Sequence, residues 1–305
     1  MKVAITGATG FIGSRLCKAL LEQGAEINVL SRNADHAKKS LPGITNAFDW
    51  NAEAEKAPTE ALAGMDAVIH LAGANVGERW TKEQKNKILE SRRQSTQNLV
   101  AGLADTHPRP PVLISASAIG YYGDRGDEVL SEESMPGEGF LSRVCIIWED
   151  EAFLAERLGM RVVALRTGLV LDKEGGTLKS MLLPFKLGFG GPLGSGTQWM
   201  SWIHMDDMIG LYEFALTNSQ VRGPMNATAP NPVRNKEFAH ELGKVLRRPS
   251  LLPVPKFALK SLLGEFAEAV LTGQRVEPQK ALKSGYQFKY PNLSPALEAE
   301  FGKKQ

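Results

Sequence analysis

Short runs of Val, Ile and Leu alternate with amphipathic stretches along the first half of the chain. Such fully apolar runs are typical of strands that are buried on both faces of a parallel sheet. The runs predict strands at Val3–Thr6, Ile27–Leu30, Ala67–Leu71, Val112–Ser115 and Val162–Arg166. The amphipathic stretches predict helices at Phe11–Gln23, Lys82–Leu103 and Ser142–Leu158. Because parallel strands need such crossovers, the pattern predicts an α/β fold with a doubly wound parallel sheet of the Rossmann type.

The pattern changes after residue 170. Gly188–Gly196 is rich in glycine, which predicts loops rather than sheet. A predicted helix at Asp206–Leu216 and a short strand at Met225–Ala227 then return to the sheet. We therefore predict a Rossmann domain at residues 1–170, which 205–230 rejoin, and a smaller C-terminal substrate-binding region at 171–204 and 231–305.

Two helices are predicted in the C-terminal part, at Lys236–Leu246 and Lys256–Leu271. In the second helix one face carries five apolar residues, Leu259, Leu262, Leu263, Phe266 and Val270. This face either belongs to the core or binds a partner, and its exposure decides between the two interpretations.

The first predicted strand leads directly into a glycine-rich loop, Thr6-Gly7-Ala8-Thr9-Gly10-Phe11-Ile12-Gly13. The first glycine permits a tight turn, the second lets a pyrophosphate approach the backbone, and the third allows the helix to pack on the strand. The pyrophosphate then lies at the N-terminus of the next helix. The order of strand, loop and helix predicts a dinucleotide site formed by Gly7, Thr9, Gly10, Phe11, Ile12 and Gly13.

The end of the second strand indicates which dinucleotide is bound. NAD-binding domains usually have Asp or Glu here for the ribose hydroxyls, whereas this chain has Ser31-Arg32. A carboxylate would repel a 2′-phosphate, and a guanidinium group can pair with it. Ser31 and Arg32 therefore favour NADP over NAD. The alternative is that Arg32 is an ordinary solvated arginine.

The composition limits the classes of partner that we expect. The chain has 36 Lys and Arg residues against 34 Asp and Glu residues, which gives no electrostatic reason to expect nucleic acid or a membrane as a partner. Cys17 and Cys145 lie in apolar helical patterns, so we expect them in the core and expect neither a disulfide framework nor a metal site. The N-terminal residues do not resemble a signal peptide, and we expect a cytoplasmic protein with a small-molecule substrate.

Four segments resemble the extended, nucleotide-sugar-epimerase-like branch of the short-chain dehydrogenases/reductases. They are the glycine loop Thr6–Gly13, the fourth-strand segment Asp66–Gly73, the serine region Ser115–Gly123 and the histidine-aspartate segment Trp202–Asp207. Three further segments are similar to an atypical subgroup of epimerase family proteins with a C-terminal tail domain, namely Gly190–Gly196, Gly273–Val276 and Gly285–Pro291.

The resemblance implies further cofactor contacts. Leu71, Ala72 and Gly73 would follow the adenosine and pyrophosphate side of the cofactor, with Asp49 near the adenine. Small residues at the carboxyl end of a strand leave room for such a ligand. Arg92 occupies a position where the extended branch usually has asparagine. It either reaches the cofactor or is a solvated helix residue.

The resemblance also implies a catalytic Tyr-x-x-x-Lys pair with a serine that polarises the substrate oxygen. Ser117 matches the serine if the following turn carries one extra residue. However, Phe140–Cys145, where the pair is expected to begin, contains neither tyrosine nor lysine. Tyr121 and Tyr122 are the candidate proton donors, and the alternative is that they pack the loop.

Three other residues lie near the predicted crevice. Gln198, with the glycine-rich loop before it, is a candidate for closing over substrate. His204 either contacts substrate or caps the next helix. Arg166, at the end of a predicted strand, either faces the ligand or pairs with a carboxylate.

Two functions remain open. The first is an NADP-dependent oxidoreductase or epimerase that transfers hydride to or from a small or nucleotide-linked carbonyl or polyol. The second is an NADPH-binding sensor or scaffold without turnover, which the missing Tyr-Lys pair favours. Some relatives in the subgroup carry names related to cell division. A homodimer or a protein partner is possible for either function.

Overall fold

The structure is a computed structural model that describes residues 1–302. Its strands, numbered along the chain, are β1 Lys2–Thr6, β2 Glu26–Ser31, β3 Asn46–Asp49, β4 Ala67–His70, β5 Val112–Ala118, β6 Val129–Leu130, β7 Arg161–Thr167, β8 Leu169–Leu171, β9 Trp199–Met200, β10 Trp202–His204, β11 Gly223–Ala227, β12 Val233–Arg234 and β13 Arg275–Val276. Its helices are α1 Phe11–Glu22, α2 Ala34–Ser40, α3 Thr59–Leu62, α4 Lys82–Asp105, α5 Phe140–Phe153, α6 Gly176–Lys186, α7 Met205–Thr217, α8 Asn235–Leu246, α9 Lys256–Leu263, α10 Phe266–Leu271, α11 Gln279–Lys283 and α12 Leu293–Phe301.

Seven strands form one parallel sheet in the order β11-β7-β5-β4-β1-β2-β3. The strand order reverses between β1 and β4, which is the point where open α/β sheets bind their ligands. The predicted doubly wound Rossmann fold is therefore confirmed. The sequence did not predict β3, because this edge strand is only half-buried and lacks a continuous apolar run.

Helices cover both faces of the sheet. Ile5 and its neighbours on one face pack with Leu16 of α1 and Leu211 of α7. Ala4 and its neighbours on the other face pack with Leu99 of α4. Consecutive residues of β1 thus enter opposite cores, as the alternation of side chains along a strand requires. Cys17 and Cys145 are buried and unpaired, as predicted for core residues.

A third core supports the region beyond the sheet. It combines residues from distant parts of the chain: Leu171, Leu178, Trp202, Phe238, Leu242 and Leu297. Beside it, the carboxylate of Asp207 accepts hydrogen bonds from the backbone amides of Lys289 and Tyr290 at 2.7 and 2.9 Å. The same carboxylate accepts one from the Tyr286 hydroxyl at 3.2 Å. The histidine-aspartate segment therefore anchors the C-terminal tail.

The predicted helix Lys256–Leu271 is two helices, α9 and α10, which are separated at Gly264 with φ +61°. Leu259 is buried, but Leu262 is 72% exposed, so the core interpretation fails for Leu262. Among residues 1–302, no helix has the length and apolar character needed to cross a membrane.

Candidate active site

The glycine loop lies at the switch point between β1 and β4. Gly7 has φ +67°, and a β-carbon there would lie 2.7 Å from the Leu71 carbonyl carbon. A β-carbon at Gly13 would lie 2.4 Å from the Gly7 carbonyl oxygen. Any larger side chain would therefore force the loop away from β4 or from α1. By contrast, a β-carbon at Gly10 would meet only the Gly7 oxygen, at 3.1 Å, so Gly10 is less closely packed than Gly7 and Gly13.

The loop presents an anion site at the start of α1. No side chain caps this helix, and its first turn contains no acidic residue. The first amides of a helix have no intrahelical acceptor, so those of Phe11 and Ile12 are available to a ligand. Thr9 and Gly10 are exposed beside them. The Phe11 ring packs against Gly175 and thereby connects the loop to the start of α6.

A buried hydrogen-bond network holds the loop to β4. The Thr6 hydroxyl accepts from the two backbone amides after β4, at 3.2 and 3.3 Å, and lies 2.7 Å from His70 Nδ1. His70 Nε2 lies 3.1 Å from the Thr96 hydroxyl, which itself donates to the Arg92 carbonyl. This pattern places the imidazole proton on Nε2, so Nδ1 accepts from Thr6. Burial lowers the pKa of His70 to about 3, so the ring is neutral.

The adenosine end of the crevice contains three predicted residues. Ser31 and Asp49 are register partners at the carboxyl ends of β2 and β3. Asp49 accepts a hydrogen bond from the Ala34 amide at 2.8 Å, so one of its oxygens braces the turn after β2. Arg32 is exposed and has no ion-pair partner within residues 1–302. Its guanidinium is therefore available to a phosphate.

Arg92, on α4, packs against the segment that follows β4. Its guanidinium carbon would be 3.1 Å from a β-carbon at Gly73, and the group donates to the carbonyls of Ala74 and Ile88 at 3.0 and 3.1 Å. It lies 4.8 Å from the centre of the Trp148 ring. Burial lowers the pKa of Arg92, and no carboxylate pairs with it among the described residues. Arg92 is thus packed into the wall of the crevice rather than solvated on the helix.

Two predicted catalytic hydroxyls belong to a buried network. Ser117 donates to Glu149 at 2.6 Å, and Arg166 forms two hydrogen bonds of 2.8 Å with the same carboxylate. Arg166 also donates to the Tyr122 hydroxyl at 3.0 Å, which donates to Asn226 at 2.6 Å. Burial raises the pKa of Tyr122 to about 12. Ser117 and Tyr122 are therefore buried and hydrogen-bonded within the protein, and Arg166 pairs with a carboxylate; the assignment of the two hydroxyls to catalysis stays a prediction.

Tyr121 differs from its neighbour. Its ring stacks on the Arg166 guanidinium, whose carbon lies 3.4 Å from the ring centre. The side chain is only partly buried, and in residues 1–302 its hydroxyl has no hydrogen-bond partner. Where the Tyr-Lys pair is expected, Ser142 instead donates to the Tyr121 carbonyl at 2.9 Å. Tyr121 is therefore the predicted proton donor that keeps a free hydroxyl at the crevice.

The two predicted substrate residues have structural contacts. Gln198 is buried, and its amide donates to the carbonyls of Leu193 and Val270 at 3.2 and 3.3 Å. His204 caps α7, where its Nδ1 accepts from the Asp206 amide at 3.1 Å. Its Nε2 lies 3.1 Å from a Glu300 carboxylate oxygen. Gln198 thus braces its own loop, and His204 caps the start of a helix.

A cationic cluster around Trp199 was not predicted. The guanidinium carbons of Arg234 and Arg275 lie 4.0 and 4.8 Å from the centre of the Trp199 ring. Asp127 accepts from Trp199 at 2.9 Å and pairs with Arg234. The Gly273–Val276 segment was the one sequence signal for it, but nothing in that segment places Arg275 next to residues 199 and 234.

The fold, the glycine loop and the position of the crevice define a nicotinamide-dinucleotide-binding protein of the extended short-chain dehydrogenase/reductase class. A family model described as "NAD dependent epimerase/dehydratase family" matches residues 3–227, and a "Domain of unknown function (DUF1731)" matches residues 254–300. The chain belongs to the NAD dependent epimerase/dehydratase family. This confirms the family predicted from the sequence.

Similar proteins cover the whole chain. The chloroplastic "Epimerase family protein SDR39U1 homolog" of Arabidopsis thaliana is 45% identical over 98% of this chain and 86% of its own length. "Epimerase family protein YfhF" of Bacillus subtilis is 40% identical over 97% of both chains. The crystal structure of human epimerase family protein SDR39U1 with NADPH has a TM-score of 0.88 and 33% identity, and the match covers 99% of this chain and 100% of that one.

Proposed function

We propose that this protein is an NADPH-dependent oxidoreductase that reduces the carbonyl group of a small anionic substrate. The observation that carries the proposal is the unpaired guanidinium of Arg32 beside Ser31, at the place where a 2′-phosphate would lie. The human relative was crystallised with NADPH, which supports the same choice of cofactor.

The residues present fit such a cofactor. Gly10 is exposed at the start of α1, and the uncapped amides there suit a pyrophosphate. Arg92 has further N–H donors beside Gly73, where the path of the cofactor continues along β4. When bound, NADPH supplies a hydride. The protein must then position the carbonyl and provide a proton for its oxygen.

Tyr121 is the residue we assign to proton donation. Ser117 and Tyr122 are occupied in the buried network, whereas the Tyr121 hydroxyl is free of protein partners within the described chain. The Arg166 guanidinium below its ring fixes the ring position, and Glu149 in turn holds Arg166. The buried network thus positions the ring whose hydroxyl we assign as the proton donor.

The Trp199 cluster indicates the charge of the substrate. Arg234 and Arg275 place two cations at one aromatic ring, and Asp127 is the carboxylate that pairs with Arg234. Arg275 has no ion-pair partner in the described residues, and its buried Nε has no acceptor. Guanidinium groups bind carboxylate and phosphate groups in a fork geometry. We therefore propose an anionic group on the substrate.

The non-catalytic alternative has one observation in its favour. Two of the three predicted catalytic hydroxyls, those of Ser117 and Tyr122, are buried and have protein partners. An NADPH-binding sensor or scaffold would need no proton donor. Oxidation of NADPH by a panel of carboxylated and phosphorylated carbonyl compounds separates the two functions, because a sensor would consume none.

Arg32→Ala is expected to lower the affinity for NADPH about tenfold to hundredfold and to leave the affinity for NADH nearly unchanged, because a hydrogen bond to a charged group contributes about 1.5–3 kcal/mol. Titration calorimetry with both cofactors measures the ratio. Arg157→Ala removes an exposed arginine elsewhere and is the matched control. An unchanged affinity ratio in Arg32→Ala would refute the assignment of Arg32.

Tyr121→Phe is expected to lower kcat about a hundredfold to ten-thousandfold, since loss of a general acid has effects of that size. The ring that stacks on Arg166 is kept, so the melting temperature and the NADPH affinity should stay near the wild-type values. Stopped-flow measurement of NADPH oxidation with the best substrate of the panel provides the rate. If kcat is unchanged, the proton comes from another group.

A further inference from the structure

Exposed apolar side chains are concentrated on one part of the substrate region. Seven of the twelve large exposed hydrophobic residues lie in two segments, 175–197 and 242–264. We define the apolar strip as six of them, which are between 62% and 82% exposed: Leu183, Leu187, Phe189, Leu251, Leu252 and Phe257. Such a concentration on the surface indicates an interaction site.

The two segments lie side by side. Arg248 Nε donates to the Lys186 carbonyl at 3.2 Å, and the Val254 amide donates to the Pro192 carbonyl at 2.7 Å. The Gly194 amide donates to the Val254 carbonyl at 2.9 Å. Leu183 and Leu187 are one turn apart on α6 and share a face. The apolar strip therefore spans neighbouring backbone segments of one surface.

The same two segments are strongly basic. They contain seven Lys and Arg residues and no Asp or Glu, whereas the rest of the chain has 29 basic residues against all 34 acidic ones. All seven are exposed: Lys179, Lys186, Lys244, Arg247, Arg248, Lys256 and Lys260. Glu241, on the same helix as Lys244, lies 3.8 Å from it, and Glu268, on α10, lies 3.9 Å from Lys260. The other five have no ion-pair partner within residues 1–302.

We propose that the apolar strip and the basic residues around it dock on an anionic lipid surface. Apolar side chains that protrude among lysines and arginines match the interfacial zone of a bilayer, where apolar groups enter the acyl boundary and cations meet anionic headgroups. A second copy of the chain fits less well, because a symmetric contact would place the same cations opposite one another. The charge of the whole chain is balanced, so the excess of basic residues in these two segments is not visible in the overall composition. Peripheral docking agrees with the predicted cytoplasmic location.

The docking surface adjoins the cofactor crevice. Gly175 and Gly176, at the start of α6, pack against Phe11 of the glycine loop. At the other end, Gly264 after α9 forms a bridge with Trp80, in the loop that follows β4. A docked protein would therefore hold the rim of its crevice close to the lipid surface.

Vesicle flotation of the full-length protein tests the proposal. We expect binding to phosphatidylcholine vesicles that contain roughly one-third phosphatidylglycerol, at least tenfold weaker binding to pure phosphatidylcholine, and loss of binding at about 1 M salt. Phe189→Ser/Leu252→Ser and Lys179→Glu/Lys186→Glu should each weaken binding at least tenfold.

Two matched controls carry the same changes elsewhere. Met135→Ser replaces an apolar residue that is 72% exposed outside the strip, and Lys38→Glu/Lys39→Glu reverses two exposed charges on α2. Both should bind vesicles like the wild type, and all variants should keep its melting temperature. Absence of binding to anionic vesicles would overturn the proposal. Two other results would also overturn it if vesicles were not bound. One is a concentration-dependent dimer, seen by light scattering, that Phe189→Ser/Leu252→Ser abolishes. The other is tight binding to an acidic polypeptide that the same double variant abolishes.

Discussion

Arg166→Met is expected to lower the free energy of unfolding by about 3–5 kcal/mol, because it leaves the Glu149 carboxylate buried without its counter-ion. The pair is almost fully excluded from water, with side chains 3% and 5% exposed. Ser117 would remain as a hydrogen-bond donor to Glu149, but a hydroxyl does not replace the charge. Urea unfolding at neutral pH measures the loss.

An exposed pair provides the control for this prediction. Arg125 and Glu128 form a charge-assisted hydrogen bond of 2.9 Å at the surface, and Arg125→Met should cost less than about 1 kcal/mol. The double variant Arg166→Met/Glu149→Leu should recover part of the loss, since it removes the unpaired charge. Equal effects of Arg166→Met and Arg125→Met would show that the inner pair is not buried in solution.

Acidification from pH 6.5 to pH 3 is expected to destabilise the native state by about 4 kcal/mol through His70 alone. Burial lowers its pKa to about 3, while the unfolded chain keeps the ordinary value of 6.5. Between these values the unfolded state binds a proton that the native state does not bind. The contribution of neutral His70 is therefore complete above pH 6.5 and is lost by about 1.4 kcal/mol per pH unit as the pH falls.

His70→Asn isolates this effect from that of the carboxyl groups. An asparagine oxygen can still accept from the Thr6 hydroxyl, but the residue does not titrate. The slope of unfolding free energy against pH should therefore decrease by one proton between pH 6.5 and 3, and the exposed control His240→Asn should keep the wild-type slope. A wild-type slope in His70→Asn would show that His70 is protonated in the native state.

The sheet was predictable because its strands are buried on both faces, and only long apolar runs satisfy that environment. β3 was missed since an edge strand needs only one half-buried face. The single helix predicted over 256–271 is two helices in the structure because Gly264 adopts a positive φ. The spacing of apolar residues gives no indication of such a break. Local sequence patterns therefore predicted the strands that are buried along their whole length. They did not predict the edge strand or the break between α9 and α10.

The two ends of the site differ in predictability for a similar reason. The glycine loop is a contiguous segment, so neighbouring residues determine its geometry. Ser117 and Tyr122 have partners that are far away in the sequence, Glu149 for Ser117 and Asn226 for Tyr122, and only the fold brings these groups together. The Trp199 cluster joins four separate segments, and no local spacing predicts such a cluster.

The third core joins the two segments that the family matches separate into one structural unit. Family matches divide the chain at residues 227 and 254, yet Leu171, Leu178 and Trp202 from the first match share one core with Leu297 from the second. Asp207 adds hydrogen bonds across the same divide. The tail is thus not an autonomous module. A chimera that exchanges residues 254–300 between relatives would have to exchange the partners of those residues in the first match as well, or lose the core that both segments share.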